Sequence, residues 1–276
     1  MNVLITGGSG SLGRVLVKAA VGAGHVVRVM SRGARPTLSP DGVVRFEWAQ
    51  ADIASGEGVP AAVDRIDAII HAASDPRRAE AVDVGGTRKL VDAARDAGVG
   101  HLVYISIVGI DDIPLHYYNA KRTAEEIIGS STVPFSILRA TQFHSFVDTL
   151  LSMAARLPFV LPLPTDFKCQ SITKREVAER LVQCVAAVPQ KRLINYGGPE
   201  ILTLGEMAEM WKAARGVRKT LIQLPVPGAI GKAFRAGKNT APIGVRGKTP
   251  WNLWLKEAVD ARAAVRNAAA DPGGGR

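Results

Sequence analysis

NVLITGGSGSLGR, residues 2–14, decides how the rest of the chain is read. Residues 2–6 form a short apolar run suited to a strand buried on both faces. Leu12, Val15, Leu16, Ala19 and Ala20 then recur at helical spacing, so the glycines occupy a turn from strand into helix. Such a turn leaves unpaired backbone N–H groups at the helix N-terminus, and glycines let a pyrophosphate approach them. The glycines can be counted in two registers. Gly8, Gly10 and Gly13 spell G-x-G-x-x-G, whereas Gly7, Gly10 and Gly13 spell G-x-x-G-x-x-G.

Outward from this loop the same alternation continues. His25 to Ser31, Phe46 to Ala51, Ala68 to Ala72, His101 to Ser106 and Phe135 to Arg139 read as further strands. Helices are predicted over Val84 to Ala97, closed by Gly98, and from about Tyr117 to Gly129. Strands alternating with helices over short links predict an α/β fold, a doubly wound parallel sheet, over residues 1–145. Beyond Ala140 the rhythm breaks at Pro158, Pro162 and Pro164, with helical stretches at Lys174 to Val188 and Leu204 to Ala214. Residues 146–265 are therefore expected to form a smaller α/β lobe that binds substrate, some of its segments returning to the sheet. Residues 266–276 are expected to be a flexible tail.

The chain has 276 residues, 47% of them hydrophobic and 22% charged, the balance of an ordinary globular protein. Cys169 and Cys184 lack metal-ligand spacing, and Met1 runs straight into a strand pattern with no signal peptide, which predicts a cytoplasmic protein without a metal. The longest apolar run, Leu150 to Leu163, carries Arg156 and two prolines, so no transmembrane segment is expected. The net charge of +10 is matched by ten Lys or Arg, with no Asp or Glu, between Met210 and Lys256. That stretch is either a solvated basic face or a place for an anionic substrate, a membrane surface, a homodimer contact or an acidic partner. It carries no nucleic-acid motif, and no nucleic-acid partner is expected.

With Thr6 ahead of Gly7, the wider register resembles the T-G-x-x-G-x-x-G loop of the short-chain dehydrogenase/reductase superfamily. Asp52-Ile53 resembles its acidic-apolar pair beside adenine, and His71-Ala72-Ala73-Ser74 its segment beside the adenosine ribose. Asp83-Val84-Gly85-Gly86-Thr87 is similar to its N-x-x-G-T helix start with Asp for Asn, and Phe135 to Arg139 to its late strand. Tyr117 and Lys121 carry Y-x-x-x-K. The resemblance is to the atypical, extended, NmrA-like branch, which holds NAD(P)H reductases as well as cofactor-binding regulators that do no chemistry. It implies a Rossmann domain in which Thr6, Gly7, Gly10, Ser11, Leu12 and Gly13 take the pyrophosphate. Asp52, Ile53, His71, Ala72 and Ala73 would take the adenosine half, and Lys121 the nicotinamide ribose.

Sites for NAD place a carboxylate at the end of the second strand to accept the ribose 2′-OH. No Asp or Glu occurs here before Asp41, and the strand ends in Met30-Ser31-Arg32 with Arg35 close by. A carboxylate repels a 2′-phosphate and a guanidinium pairs with it, so NADP(H) is favoured over NAD(H).

Tyr117 and Lys121, four apart, share a helix face if they lie on one helix. A nearby ammonium is expected to lower the phenol's pKa, letting Tyr117 exchange a proton as hydride moves to or from a carbonyl carbon. The related hydroxyl that binds the substrate oxygen falls where Ile107 stands, and Ser106 is one position early. Ser74, Gln142 and His144 are candidates for the substrate pocket. His116 is either a proton relay or a solvated loop residue, and Asp111-Asp112 either a cation site or a polar turn. Thr203 and Glu206 read as a capping box, and residues 223–236 as a mobile lid or a packed segment. The expected activity is NADP(H)-dependent oxidoreduction of a small carbonyl or quinone-like compound. The alternative is an NADP(H)-binding regulator without turnover.

Overall fold

The computed structural model describes residues 1–33, 46–191, 193–242 and 244–270, the side chains of 262–270 excepted. Arg35 and residues 271–276 of the expected tail lie outside the described residues. The chain divides into two compact units: Met1–Ala140, Lys174–Tyr196 and Pro242–Gly244 in one, Thr141–Thr173, Gly197–Ala241 and Val245–Arg276 in the other.

The first unit is built on a seven-stranded sheet. Its strands are β1 (Asn2–Thr6), β2 (Val26–Ser31), β3 (Glu47–Gln50), β4 (Ala68–His71), β5 (His101–Ile107), β6 (Phe135–Ala140) and the segment Leu193–Tyr196. From one edge they lie in the order Leu193–Tyr196, β6, β5, β4, β1, β2, β3, and every pairing is parallel. β1 lies inside the sheet between β4 and β2, and Val3, Leu4 and Ile5 have no exposed surface, which is why its sequence is continuously apolar rather than alternating. Strand order reverses between β1 and β4, and a crevice for ligands opens at the carboxyl ends of strands at such a switch point.

The helices of this unit are α1 (Ser11–Gly22), α2 (Val59–Val63), α3 (Gly86–Asp96) and α4 (His116–Gly129), with Lys174–Ala186 as a further one. Gly98 closes α3 at φ 68°, and Val99 N–H returns to Ala94 O at 2.9 Å. A π-helical turn, Glu80–Gly85, precedes α3 and points Asp83 inward, where it has no exposed surface.

Lys174 to Val188 falls within the stretch 146–265, from which some segments were expected to return to the sheet. Lys174–Ala186 buries Val177, Ala178, Leu181 and Val185 in the first unit and packs on α1. Leu193–Tyr196 then pairs with β6, Ile194 opposite Leu138. An amphipathic pattern tells which face of a helix is apolar but not which surface it meets.

Asp111 is no free turn residue. Arg139 on β6 donates through Nε to Glu125 Oε1 of α4 at 2.9 Å and also pairs with Asp111. Glu125 and Arg139 are buried at 7% and 8% exposure.

The second unit has its own core of Val147, Leu151, Leu161, Leu163, Leu204, Met207, Trp211, Trp251 and Leu255. Trp211 Nε1 donates to Asp148 Oδ1 at 2.7 Å and Trp251 Nε1 to Met207 O at 3.1 Å. The capping box forms: Glu206 N–H donates to Thr203 Oγ1 at 3.1 Å and Thr203 N–H to Glu206 Oε2 at 2.7 Å. Within residues 223–236, Phe234 of the short helix Gly228–Arg235 stacks on Phe167 with centroids 5.0 Å apart, a packed arrangement. The helix Trp251–Ala270 runs through residues 266–270, which the sequence reading placed in the tail.

The Arg139 cluster gives a stability prediction. Arg139→Ala leaves Glu125 buried without its partner and should cost about 3 kcal/mol. Asp111→Ala removes a carboxylate whose side chain is 55% exposed and should cost less than about 1 kcal/mol. Urea unfolding midpoints would compare the two variants.

Candidate active site

The glycine loop leaves β1 at Gly7, whose φ of 68° favours glycine. A Cβ at Gly7 would lie 2.8 Å from Ala72 O and from Ala73 Cα and N. One at Gly13 would lie 2.1 Å from Gly7 O, and Gly10 N–H donates to Gly7 O at 2.9 Å. Gly7, Gly10 and Gly13, the glycines of the wider register, are thus tied to one another. Gly8 is confined as well, because a Cβ there would meet Val29 Cγ1 at 2.6 Å.

Gly10 caps α1 without a side-chain hydrogen bond, and the first turn carries no acidic residue. The first N–H groups of α1 are therefore available to an anion, and the helix dipole favours one there. A Cβ at Gly10 would meet only Gly7 O, at 3.1 Å, so the surface over the loop is open. The cradle fits a pyrophosphate. Lys174 adds a cation at its rim by donating to Ser11 Oγ, a contribution that sequence spacing could not reveal.

Beneath the loop runs a buried hydrogen-bonded chain. Thr6 Oγ1 lies 2.7 Å from His71 Nδ1, and His71 Nε2 lies 3.0 Å from Thr87 Oγ1. Thr87 gives its own hydrogen to Asp83 O, so it accepts from His71 Nε2–H. His71 Nδ1 then accepts from Thr6. The Thr6 oxygen in turn accepts the N–H groups of Ala72 and Ala73, each at 3.1 Å. Burial, with the Lys121 ammonium adding to it, lowers the His71 pKa to about 3, so the ring is neutral. Thr6 and His71 have no exposed surface. They hold the loop and the Ala72-Ala73 segment in place from beneath.

Around this chain stand the other cofactor candidates. Asp52 Oδ1 accepts Ala54 N–H at 2.9 Å, and Ile53 is 5% exposed. Ala72 and Ala73 are half-buried, Leu12 is half-buried, and Ser11 and Arg32 are exposed, Arg32 immediately after β2.

Tyr117 and Lys121 share α4, but their electrostatics differ from expectation. Lys121 is 3% exposed. Its Nζ donates to Ile105 O at 2.9 Å, lies 3.7 Å from Asp83 Oδ1 and sits 4.2 Å over the Tyr104 ring. Burial lowers its pKa to about 8, against the pull of Asp83 and Glu125. The Tyr117 hydroxyl instead meets Ser74 Oγ at 2.7 Å, and Ser74 donates to Asp83 Oδ1 at 2.6 Å. Asp83 Oδ2 also accepts Asp75 N–H at 3.1 Å. Burial pushes Tyr117 up to about 12, with the Asp83 and Asp75 carboxylates adding to the rise. The anticipated lowering by Lys121 is not found, because its ammonium is drawn to Asp83 and to the β5 carbonyl.

Ser106 is 2% exposed, and its Oγ is without a hydrogen-bond partner among the described residues. Tyr118 is buried as packing and His116 is exposed. Gln142 and His144 belong to the second unit. Gln142 Oε1 accepts Phe143 N–H at 3.1 Å. His144, 1% exposed, donates through Nε2 to Thr249 O at 3.1 Å, accepts from Ser171 at 2.6 Å and packs on Trp251 and Trp254. These contacts make its ring an internal post of that unit. The Ser74–Asp83 link escaped sequence reading because nothing in the spacing of those residues marks it. The one sign was Asp83 standing where the related helix start carries Asn.

Among the described residues, no group of three or more His, Cys, Asp or Glu could hold a metal ion, and no helix is long and apolar enough to cross a membrane. Residues 7–187 match the NAD(P)H-binding family. The chain belongs to that family. Its fold is that of a short-chain dehydrogenase/reductase superfamily protein of Agrobacterium tumefaciens solved with NAD, at TM-score 0.73 and 19% identity over 98% of this chain and 99% of that one. It is 31% identical over 250 residues to the photosystem II assembly factor Ycf39 of Guillardia theta, covering 82% of this chain and 75% of that protein. It is 27% identical over 281 residues to the chloroplastic divinyl chlorophyllide a 8-vinyl-reductase of Oryza sativa subsp. indica, covering 89% and 69%. The fold matches an NADPH-dependent quinone oxidoreductase of Escherichia coli solved with NADPH, at TM-score 0.74 and 18% identity over 95% of this chain and 99% of that one. Reductases recur among its curated relatives, which groups the chain with NAD(P)-dependent oxidoreductases, and the quinone oxidoreductase shares its fold.

Two outcomes follow from the loop and its support. Gly10→Val should retain the fold by circular dichroism and raise the Kd for NADPH more than about 100-fold, by filling the space over the N–H groups. Because His71 is neutral in the fold and titrates near 6.5 when unfolded, the unfolded state takes up the extra proton between about pH 6.5 and pH 3. Stability should be full above that window, fall by about 1.4 kcal/mol per pH unit as pH drops through it, and lose nothing further from this group below it. Urea midpoints between pH 7 and pH 4.5 should show a shallower fall in His71→Gln.

Proposed function

We propose that the protein is an NADP(H)-dependent oxidoreductase that moves hydride between the nicotinamide and a small, apolar carbonyl or quinone-like substrate, with Tyr117 exchanging the proton. The observation that carries this reading is the Tyr117 hydroxyl. It is half-buried, hydrogen-bonded to Ser74 and backed by the buried Lys121–Asp83 pair, in the same unit as the glycine cradle. The bound nicotinamide would supply or take the hydride; the protein's own groups hold the cofactor and move the proton. Gly7, Gly10, Gly13 and the first turn of α1 would take the pyrophosphate, and Lys121 the nicotinamide ribose. The 2′-phosphate is assigned to Arg32, which is exposed where an NAD site carries a carboxylate. The quinone oxidoreductase and vinyl-reductase names among its relatives favour an unsaturated, largely apolar substrate.

A second reading is an NADP(H)-binding assembly or regulatory protein without turnover. It is favoured by the assembly factor among its relatives and by the raised pKa of Tyr117.

Calorimetric titration with NADPH and NADH, then NADPH oxidation against a panel of quinones, ketones and aldehydes, separates the readings. The first requires tight binding with turnover; tight binding without turnover of any panel member selects the second. Tyr117→Phe should leave NADPH binding unchanged and lower kcat on the order of a hundredfold or more. Arg32→Ala should weaken NADPH and spare NADH, and equal losses would remove it from the 2′-phosphate site.

A further inference from the structure

A phenol whose pKa is pushed up to about 12 does not ionise near neutral pH, so Tyr117 needs another way to take a proton. The hydrogen bonds around it supply one. Ser74 has a single hydroxyl hydrogen and gives it to Asp83 Oδ1, 2.6 Å away. At the 2.7 Å contact with Tyr117 the serine oxygen therefore accepts and the phenol donates. This leaves the lone pairs of the Tyr117 oxygen for a proton arriving from substrate.

We propose that Asp83, acting through Ser74, is the proton store of the site, and that Tyr117 exchanges protons with it rather than by becoming a phenolate. The inference rests on the oxidoreductase reading above. As an alcohol is oxidised, its hydroxyl proton passes to Tyr117 Oη. The phenol's proton passes to Ser74 Oγ and the serine's to Asp83 Oδ1, while hydride leaves the alcohol carbon for the bound nicotinamide. Three O–H bonds break and three form. Tyr117 and Ser74 end as they began, and the Asp83 carboxylate becomes a carboxylic acid. Reduction runs the same transfers in reverse.

The groups facing Asp83 suit this part. Lys121 Nζ of α4 lies 3.7 Å from Oδ1 and stabilises the carboxylate between turnovers. Asp75 N–H binds Oδ2 at 3.1 Å. On the sheet side, Tyr104 is held un-ionised by burial and His71 is neutral. Glu125, the other acid acting on Lys121, is itself bound to Arg139. Ser74 also provides the hydroxyl that β5 does not, since Ser106 is shut away at 2% exposure. An asparagine at position 83 could hold Ser74 but could not take its proton.

The test compares kcat against pH in the oxidation direction, with NADP⁺ and the alcohol formed from a panel substrate, for the wild type, Asp83→Asn, Ser74→Ala and the double variant. Each single change should lower kcat at pH 7 on the order of a hundredfold and leave the Kd for NADPH unchanged. The deficit should shrink as pH rises, and the double variant should be no slower than either single. Losses that are independent of pH and additive, or an unchanged kcat, would overturn the relay. Carbon-13 NMR of tyrosine labelled at Cζ, with Tyr117 assigned by Tyr117→Phe, reads the coupling without turnover. In the wild type the Tyr117 signal should stay that of the phenol through pH 10, and in Asp83→Asn its midpoint should fall. A midpoint that does not move overturns the proposal. A wild type that binds NADPH but turns over nothing would instead overturn the oxidoreductase reading.

Discussion

One neutral imidazole holds the site together. His71 stands at the end of β4 with Thr6 of β1 on one nitrogen and Thr87 of α3 on the other. Each end of this chain fixes something else. Through Thr6 it holds the backbone of Ala72 and Ala73, against which Gly7 packs too closely for any Cβ. Through Thr87 it reaches the carbonyl of Asp83, whose carboxylate meets Ser74 and Lys121. Every donor and acceptor in the chain is used, as low-dielectric surroundings require. The cradle for a pyrophosphate and the groups beside Tyr117 are therefore two ends of one buried network.

The charges in the unit follow the same economy. Lys121 and Asp83 are taken out of water together, and Lys121 gains a backbone carbonyl and the face of Tyr104 in addition. Removing a charge from water is costly unless partner and hydrogen bonds accompany it. Arg139 is treated likewise, shared between buried Glu125 and exposed Asp111. Both cations are thereby committed to neighbours, and neither is spare to depress the tyrosine.

What the sequence revealed and what it hid divide along the range of the interactions. The spacing of the loop glycines was legible because its cause is local: Gly7, Gly10 and Gly13 pack on one another within two turns of chain. The strands β1 to β6 were legible from apolar runs between turn signals. The Tyr117–Lys121 spacing was legible too, but the sign of its effect was not, since the partner that occupies Lys121 comes from another element. Thr6 and His71 were picked out because the motif contains them, and only the structure shows their side chains buried and tied to each other beneath the loop. Which segments of 146–265 return to the first unit was not legible, because chain order was the only guide to the packing of the helix Lys174–Ala186.

The strand Leu193–Tyr196 has a consequence for how the chain becomes a protein. It closes the edge of the sheet beside β6, yet it is reached only after Thr141–Thr173, a segment that belongs to the other unit. As the chain leaves the ribosome, β1 to β6 can assemble while β6 still presents an open row of amide and carbonyl groups. Open strand edges invite pairing with foreign chains. During synthesis the nascent sheet is therefore most exposed to misassembly in the interval between Ala140 and Tyr196. A polypeptide stopped inside that interval would keep the glycine loop and lack both the helix against α1 and the strand that seals the sheet.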